Sequence, residues 1–274
     1  DQLGQAYAER GQQAKAISAY RQAAQLAPQE AAFQTRLGRT AYQMGRWAEA
    51  QKAVRRALTL NPDHDANHAL LGQIAEAQGQ HEEALQAYQR AIALAPNHAA
   101  HRQRAAAIYR KKGLYTEALA EIEAGLQVAE DDAALHDEMG AIYARRGEYG
   151  QALRCYDRAI TLAPDDARYY LHKGLALHQT GQHGQAIESI KTAIQLDADC
   201  AAAHHHLGAT FEALGHNQQA KEAYQRAAAL SPRQAQMQYD YGRLCQNLGE
   251  LEQAATALEE AIALRPDWPE AHYQ

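Results

Sequence analysis

The feature that most constrains this chain is a 34-residue period. Glycines recur at Gly4, Gly38, Gly72, Gly140, Gly174, Gly208 and Gly242, with Ala106 in the one skipped place. Seven residues after each lies a second set: Gly11, Gly45, Gly79, Gly113, Gly147, Gly181, Gly215 and Gly249, without exception. Five residues further on the chain always has alanine, from Ala16 to Ala254. A fixed period of this length is the signature of stacked repeats, each one supersecondary unit that buries its apolar face only against its neighbours.

The spacing within one period says what the unit is. Four residues after each recurring alanine stands a large apolar residue: Tyr20, Val54, Tyr88, Ile122, Tyr156, Ile190, Tyr224 or Leu258. A small residue follows three later and an aliphatic one three beyond that, the last series running from Leu26 to Leu264. This is one face of an amphipathic helix. The second glycine set suits a left-handed cap at the end of a preceding helix. The first set suits a place where two helices come close. Pro28, Pro62, Pro96, Pro164, Pro232 and Pro266 then stop the second helix. The residue after the proline, such as Asp63, Asn97, Asp165 or Asp267, is expected to cap the next helix. Where Glu130 and Ala198 replace the proline, Asp131 and Asp199 are expected to take that task. Each unit therefore reads as helix, turn, helix. Composition agrees, being rich in Ala, Gln, Leu and Glu with only 7% aromatic residues, so strand formers are sparse.

This pattern resembles the tetratricopeptide repeat, carried by Leu3-Gly4-x-x-Tyr7, Ala16-x-x-x-Tyr20, Pro28 and their later copies. The resemblance covers essentially the whole chain. It implies an all-α fold, a right-handed superhelical solenoid of antiparallel helix pairs whose first helices line a concave groove. On that register the chain is a single array: 1–30 (partial), 31–64, 65–98, 99–132, 133–166, 167–200, 201–234 and 235–268, with 269–274 beginning a ninth repeat. Both ends are then expected to expose apolar surface. Where the family prefers Trp this chain has Gln34, His68, Arg102, His136, Tyr170, His204 and Gln238, so packing there is more polar. The fourth repeat departs furthest, with Ala105-Ala106, Gly125 and Glu130, and a soft joint is expected there.

Charge narrows the function. The formal net charge of −6 argues against a nucleic-acid partner, and no apolar run is long enough for membrane insertion. Three cysteines, Cys155, Cys200 and Cys245, form no metal-type spacing and suit a reducing, cytoplasmic setting. No phosphate-binding loop, GxSxG, HExxH or paired CxxC is present, so no enzyme activity and no cofactor is expected. His204-His205-His206 cannot converge on a metal alone, because successive helical residues diverge, and no metal site is assigned.

The resemblance places certain residues in the groove. In the first half these are Arg36, Arg39, Tyr42, Gln73, Arg104, Arg110 and Lys111; in the second, Asp137, Glu138, His172, His205, His206, Glu212 and Asp240. The basic half suits an acidic segment of a partner, through charge-assisted bonds from arginine. Two specialised family uses find no support. The Lys-then-Asn carboxylate clamp falls on Asp1/Gln5, Thr35/Arg39, Ala69/Gln73 and Gln103/Ala107, and the asparagine ladder on Gln2, Arg36, Leu70, Arg104, Glu138, His172, His206 and Asp240. The expected function is a protein-interaction scaffold that holds a peptide or protein segment in the groove. The rival expectations are a targeting arm of a larger enzyme or export machine, such as a glycosyltransferase or polysaccharide exporter, and self-association through the array ends.

Overall fold

The structure is a computed structural model that describes residues 2–269; the proposed start of a ninth repeat lies almost wholly outside them, as does Asp1. Among the described residues there are sixteen helices and no strand, so the fold is all-α. The chain divides into two compact units at Glu130 and Asp131. The first unit contains α1 (Gln2–Glu9), α2 (Gln13–Leu26), α3 (Ala31–Gln43), α4 (Trp47–Leu60), α5 (Asp65–Ala77), α6 (His81–Leu94), α7 (Ala99–Lys111) and α8 (Tyr115–Leu126). The second contains α9 (Ala133–Arg145), α10 (Tyr149–Leu162), α11 (Ala167–Gln179), α12 (His183–Leu196), α13 (Ala201–Ala213), α14 (Asn217–Leu230), α15 (Ala235–Asn247) and α16 (Leu251–Leu264). Odd-numbered (A) and even-numbered (B) helices pair as hairpins. Within each unit the B helix of one hairpin packs on the A helix of the next.

The hairpin turn follows from one glycine per repeat. At the end of α3, Gly45 has φ 70°, a conformation that only glycine adopts at little cost. Its amide donates to the Tyr42 carbonyl at 2.9 Å, and the Arg46 amide donates to the Ala41 carbonyl at 2.9 Å. Together these satisfy carbonyls that the helix end would leave bare. The chain is thereby turned back within three residues to begin α4. The other glycine of each repeat sets the distance between the two helices. A Cβ on Gly208 would sit 2.7 Å from the Tyr224 ring, and one on Gly72 2.8 Å from the Tyr88 ring. Larger residues there would drive the hairpin apart. Ala16, Ala50, Ala84, Ala118, Ala152, Ala186, Ala220 and Ala254 are all buried, as the close A–B approach requires.

Two local expectations are corrected. The residue after the proline lies in the turn and does not cap; the cap falls one residue later. Asp132 accepts from the amides of Ala134 and Leu135, and Asp166 from that of Arg168. The turn acids instead reach a B-helix arginine of the same repeat junction: Asp63 with Arg90 at 2.8 Å, Asp131 with Arg158 at 2.6 Å and Asp199 with Arg226 at 3.3 Å. The aliphatic residue closing each B-helix face is also less buried than its spacing suggests. Leu26 is 80% exposed, since it sits at the helix tip beyond the stretch that packs. Histidines at the family's Trp position do something specific: His68 and His204 bond back to the carbonyls of Pro62 and Ala198, latching the turn between repeats.

The fourth repeat is irregular where its sequence is. Helix α8 stops at Leu126, two residues before the place where the other B helices end. Val128 and Ala129 both turn back to the carbonyl of Gly125. The division between the two units falls four residues after that early stop.

Candidate functional site

The A helices carry the chemistry, and the two units differ on them. Helices α3, α5 and α7 hold six basic residues (Arg36, Arg39, Arg102, Arg104, Arg110, Lys111) against Asp65 and Glu76. The first unit as a whole has 15 basic and 13 acidic residues, so its positive excess is concentrated on this layer. Helices α9, α11, α13 and α15 balance four basic against four acidic residues, within a unit of 12 basic and 20 acidic.

In the first unit, Arg36 and Arg39 come together with Thr35, Asn61 and His64 along one cleft. Arg39 is exposed and makes no ion pair among the described residues. Tyr42 is half-buried, with its ring 5.4 Å from that of Trp47, and Gln73 and Arg110 are half-buried on their own helices. Arg104 and Lys111 project from one side of α7, two turns apart, and converge on a single carboxylate. The Lys111 ammonium lies 3.0 Å from Glu76 Oε1, and Arg104 lies 3.8 Å from Oε2. The Tyr88 hydroxyl donates to the same Oε2 at 3.2 Å. Burial, then the Glu76 carboxylate, push the Tyr88 phenol well above its ordinary range. A second tie between adjacent A helices joins His101 Nε2 to Asp65 at 3.1 Å, and this bond lowers the Asp65 carboxyl.

In the second unit Asp137, Glu212 and Asp240 each meet a partner. Asp137 meets His172 Nδ1 at 2.7 Å, and Glu138 beside it is buried. Asp240 meets His205 Nε2 at 2.8 Å and accepts from Gln236 at 2.9 Å. Glu212 takes two bonds of 2.8 Å from Arg243 and one of 3.0 Å from the Tyr224 hydroxyl. The Arg243 bonds hold the Glu212 carboxyl below the usual carboxylate range. His206 stacks edge-on to His205 at 5.4 Å; burial, then His205, lower it to about 4. His178 bonds to Thr210 at 3.1 Å and is also lowered by burial. Among the described residues no three His, Cys, Asp or Glu side chains converge as a metal set, and the three cysteines are free.

The sequence reading passed over the counter-charges. Glu76, Arg243, Asp65 and His101 complete the pairs, yet none was singled out as a partner. For Glu76 a signal exists: Glu76 and Lys111, like Asp137 and His172 and His205 and Asp240, are 35 residues apart, one repeat plus one. That offset joins neighbouring A helices across one repeat.

Known proteins place this geometry. Profiles described as tetratricopeptide repeat match residues 35–99, 205–272, 139–207 and 75–142, and one described as TPR repeat matches residues 4–45. No curated protein sequence matches. Among solved structures, the APC/C hetero-tetramer Cut9–Hcn1 is similar at 14% identity and a TM-score of 0.73, over 98% of this chain. The chain spans 53% of that protein's length. A tetratricopeptide repeat protein from Parabacteroides merdae is similar at 17% identity and a TM-score of 0.73, covering 92% of this chain and 96% of its own. Pseudomonas aeruginosa pilF is similar at 18% identity and a TM-score of 0.65, over 76% of this chain and 95% of its own. At these identities the structures speak for the fold alone. Sequence profiles, the 34-residue register and the stacked hairpins agree, and the chain belongs to the tetratricopeptide-repeat family.

Proposed function

We propose that this chain is a non-catalytic scaffold whose A-helix face in the first unit holds an acidic, extended segment of a protein partner. The observation that carries this reading is the concentration of six basic residues against two acidic ones on α3, α5 and α7. Some B-helix cations are tied to acids, as Arg21 is to Glu49 and Arg90 to Asp63. Arg39 on α3 is exposed with no ion pair among the described residues, and Arg104 and Lys111, about half exposed, share the one carboxylate of Glu76. Arginine in such a setting binds carboxylates through paired donors and gains most where water is partly excluded. Adjacent A helices also touch directly, α3 with α5, so one segment laid along them meets side chains from successive repeats.

The test is retention of a partner from native lysate by the whole chain and by Arg39→Glu. Arg39 is chosen because its reversal breaks no internal pair. A specific protein retained by the wild type, lost with the reversal and eluted by salt supports the reading. Equal retention by both forms shows that binding lies elsewhere on the molecule.

A further inference from the structure

Glu76 stands out because it is an acid in the middle of a basic face. It is only 17% exposed, while the two cations that reach it are about half exposed. Its carboxylate sits where Arg104 and Lys111 converge from α7, and the Tyr88 hydroxyl fixes one of its oxygens. This is the arrangement a partner's carboxylate would adopt on the same two cations, with the place already taken by the chain itself. The glutamate comes from the preceding repeat, so nothing in the local sequence of α7 requires it.

We propose that Glu76 is a built-in counter-charge that occupies the carboxylate seat of Arg104 and Lys111, and that an acidic partner must displace it to bind there. The inference rests on the scaffold reading and names the regulation of that same face. It also specifies the ligand. A lone carboxylate gains little by exchanging with one already held and tethered. A segment with several carboxylates also meets the exposed Arg39 on the same layer of A helices, and the exchange at Glu76 then becomes favourable. The face is thereby selective for clustered acidic residues over isolated ones.

The second unit supplies an independent control. Glu212 and Tyr224 lie four repeats after Glu76 and Tyr88 and make the same hydroxyl-to-carboxylate bond, at 3.0 Å. There the carboxylate is gripped by both arms of Arg243, and Asp240 stands at the repeat position that Arg104 holds in the first unit. Among the described residues no second cation reaches that seat. The exchange is confined to the first unit.

The experiment uses the full chain and a fluorescein-labelled octaglutamate peptide, with binding read by fluorescence anisotropy at low salt. Four proteins are compared: wild type, Glu76→Gln, Glu83→Gln as a carboxylate removed from a B helix, and Glu76→Gln combined with Arg104→Gln and Lys111→Gln. The glutamine keeps an oxygen for the Tyr88 hydroxyl, and thermal melting verifies that each variant is folded. The expected result is that Glu76→Gln tightens octaglutamate by about 5- to 10-fold, that Glu83→Gln changes it by less than about 2-fold, and that the triple variant loses the gain. If the wild type binds and Glu76→Gln behaves like Glu83→Gln, the counter-charge inference is overturned while the basic-face reading stands. If neither the wild type nor Glu76→Gln binds octaglutamate, both fall.

Discussion

Four repeats separate Glu76 from Glu212, and both carboxylates accept a bond from a tyrosine twelve residues further along the chain. Around this shared seat the two units diverge. In the first, Leu70, Arg36 and Arg104 stand where the second has His206, His172 and Asp240. One glutamate is held loosely by two half-exposed cations, the other by a bidentate arginine. The same backbone thus carries a basic face with two acids, Asp65 and Glu76, and, four repeats on, a histidine-lined face where Asp137, Glu212 and Asp240 are each paired. The repeat sets where side chains stand; their identity sets what the surface offers.

If that comparison is right, the shared core should respond alike in both units, and this is the largest effect expected. Tyr88→Ala and Tyr224→Ala each remove a buried ring that packs on a glycine, at a cost of about 3–5 kcal/mol. Urea denaturation followed by hydrogen exchange and mass spectrometry reports each unit separately. A cost differing by more than about 2 kcal/mol between the two would break the equivalence of the hairpins.

The seats themselves should respond unequally. Arg243→Ala strands Glu212 beside Asp240 and should cost about 1–3 kcal/mol in the second unit. Lys111→Ala leaves Glu76 with Arg104 and Tyr88, and since Lys111 is about half exposed the cost should stay below about 0.5 kcal/mol. Equal losses in equilibrium unfolding would erase the distinction between a tight and a loose seat.

Acid sharpens it further. Burial keeps His206 neutral down to about 4, whereas an unperturbed imidazole protonates near 6.5. Between those values the unfolded chain binds the extra proton, so stability present above pH 6.5 is lost as pH falls toward 4. His178 is shifted in the same direction, and His205 faces both His206 and Asp240. The second unit should therefore open first on acidification. His206→Leu, which installs the residue found at Leu70, should move its acid midpoint down by about 0.5–1 pH unit. An unchanged midpoint in circular dichroism and hydrogen exchange would assign the acid sensitivity to the carboxylates instead.

A gain in stability is expected at Asn67, fully buried with neither amide atom partnered by a protein group. Its counterpart four repeats later is Ala203, also buried. Asn67→Leu should raise the melting stability of the first unit by about 1 kcal/mol, because an unsatisfied buried amide is removed at similar volume. A loss of stability would mean that this amide has a water-mediated partner.

The repeat and its consequences were legible in the residues alone. Glycine spacing gave the helix ends, because only glycine turns cheaply to positive φ, and the alanine and tyrosine series gave the A–B contact. Repeat 4 departs from the pattern at Gly125 and Glu130, and helix α8 stops early there. The cap position was misjudged by one residue, since a proline turn and a helix start differ in backbone angles that residue type does not report. The face chemistry was half legible. Arg36, Arg39, Arg104 and Lys111 could be placed on A helices from their register. That Glu76 already holds Arg104 and Lys111, or that Arg243 closes on Glu212, depends on how far one helix is shifted against the next. Period alone determined the hairpin and its stacking, because those follow from local sterics and apolar spacing. Tertiary structure decided which charges remain open to a partner, because pairing is a matter of a few ångströms between side chains a whole repeat apart.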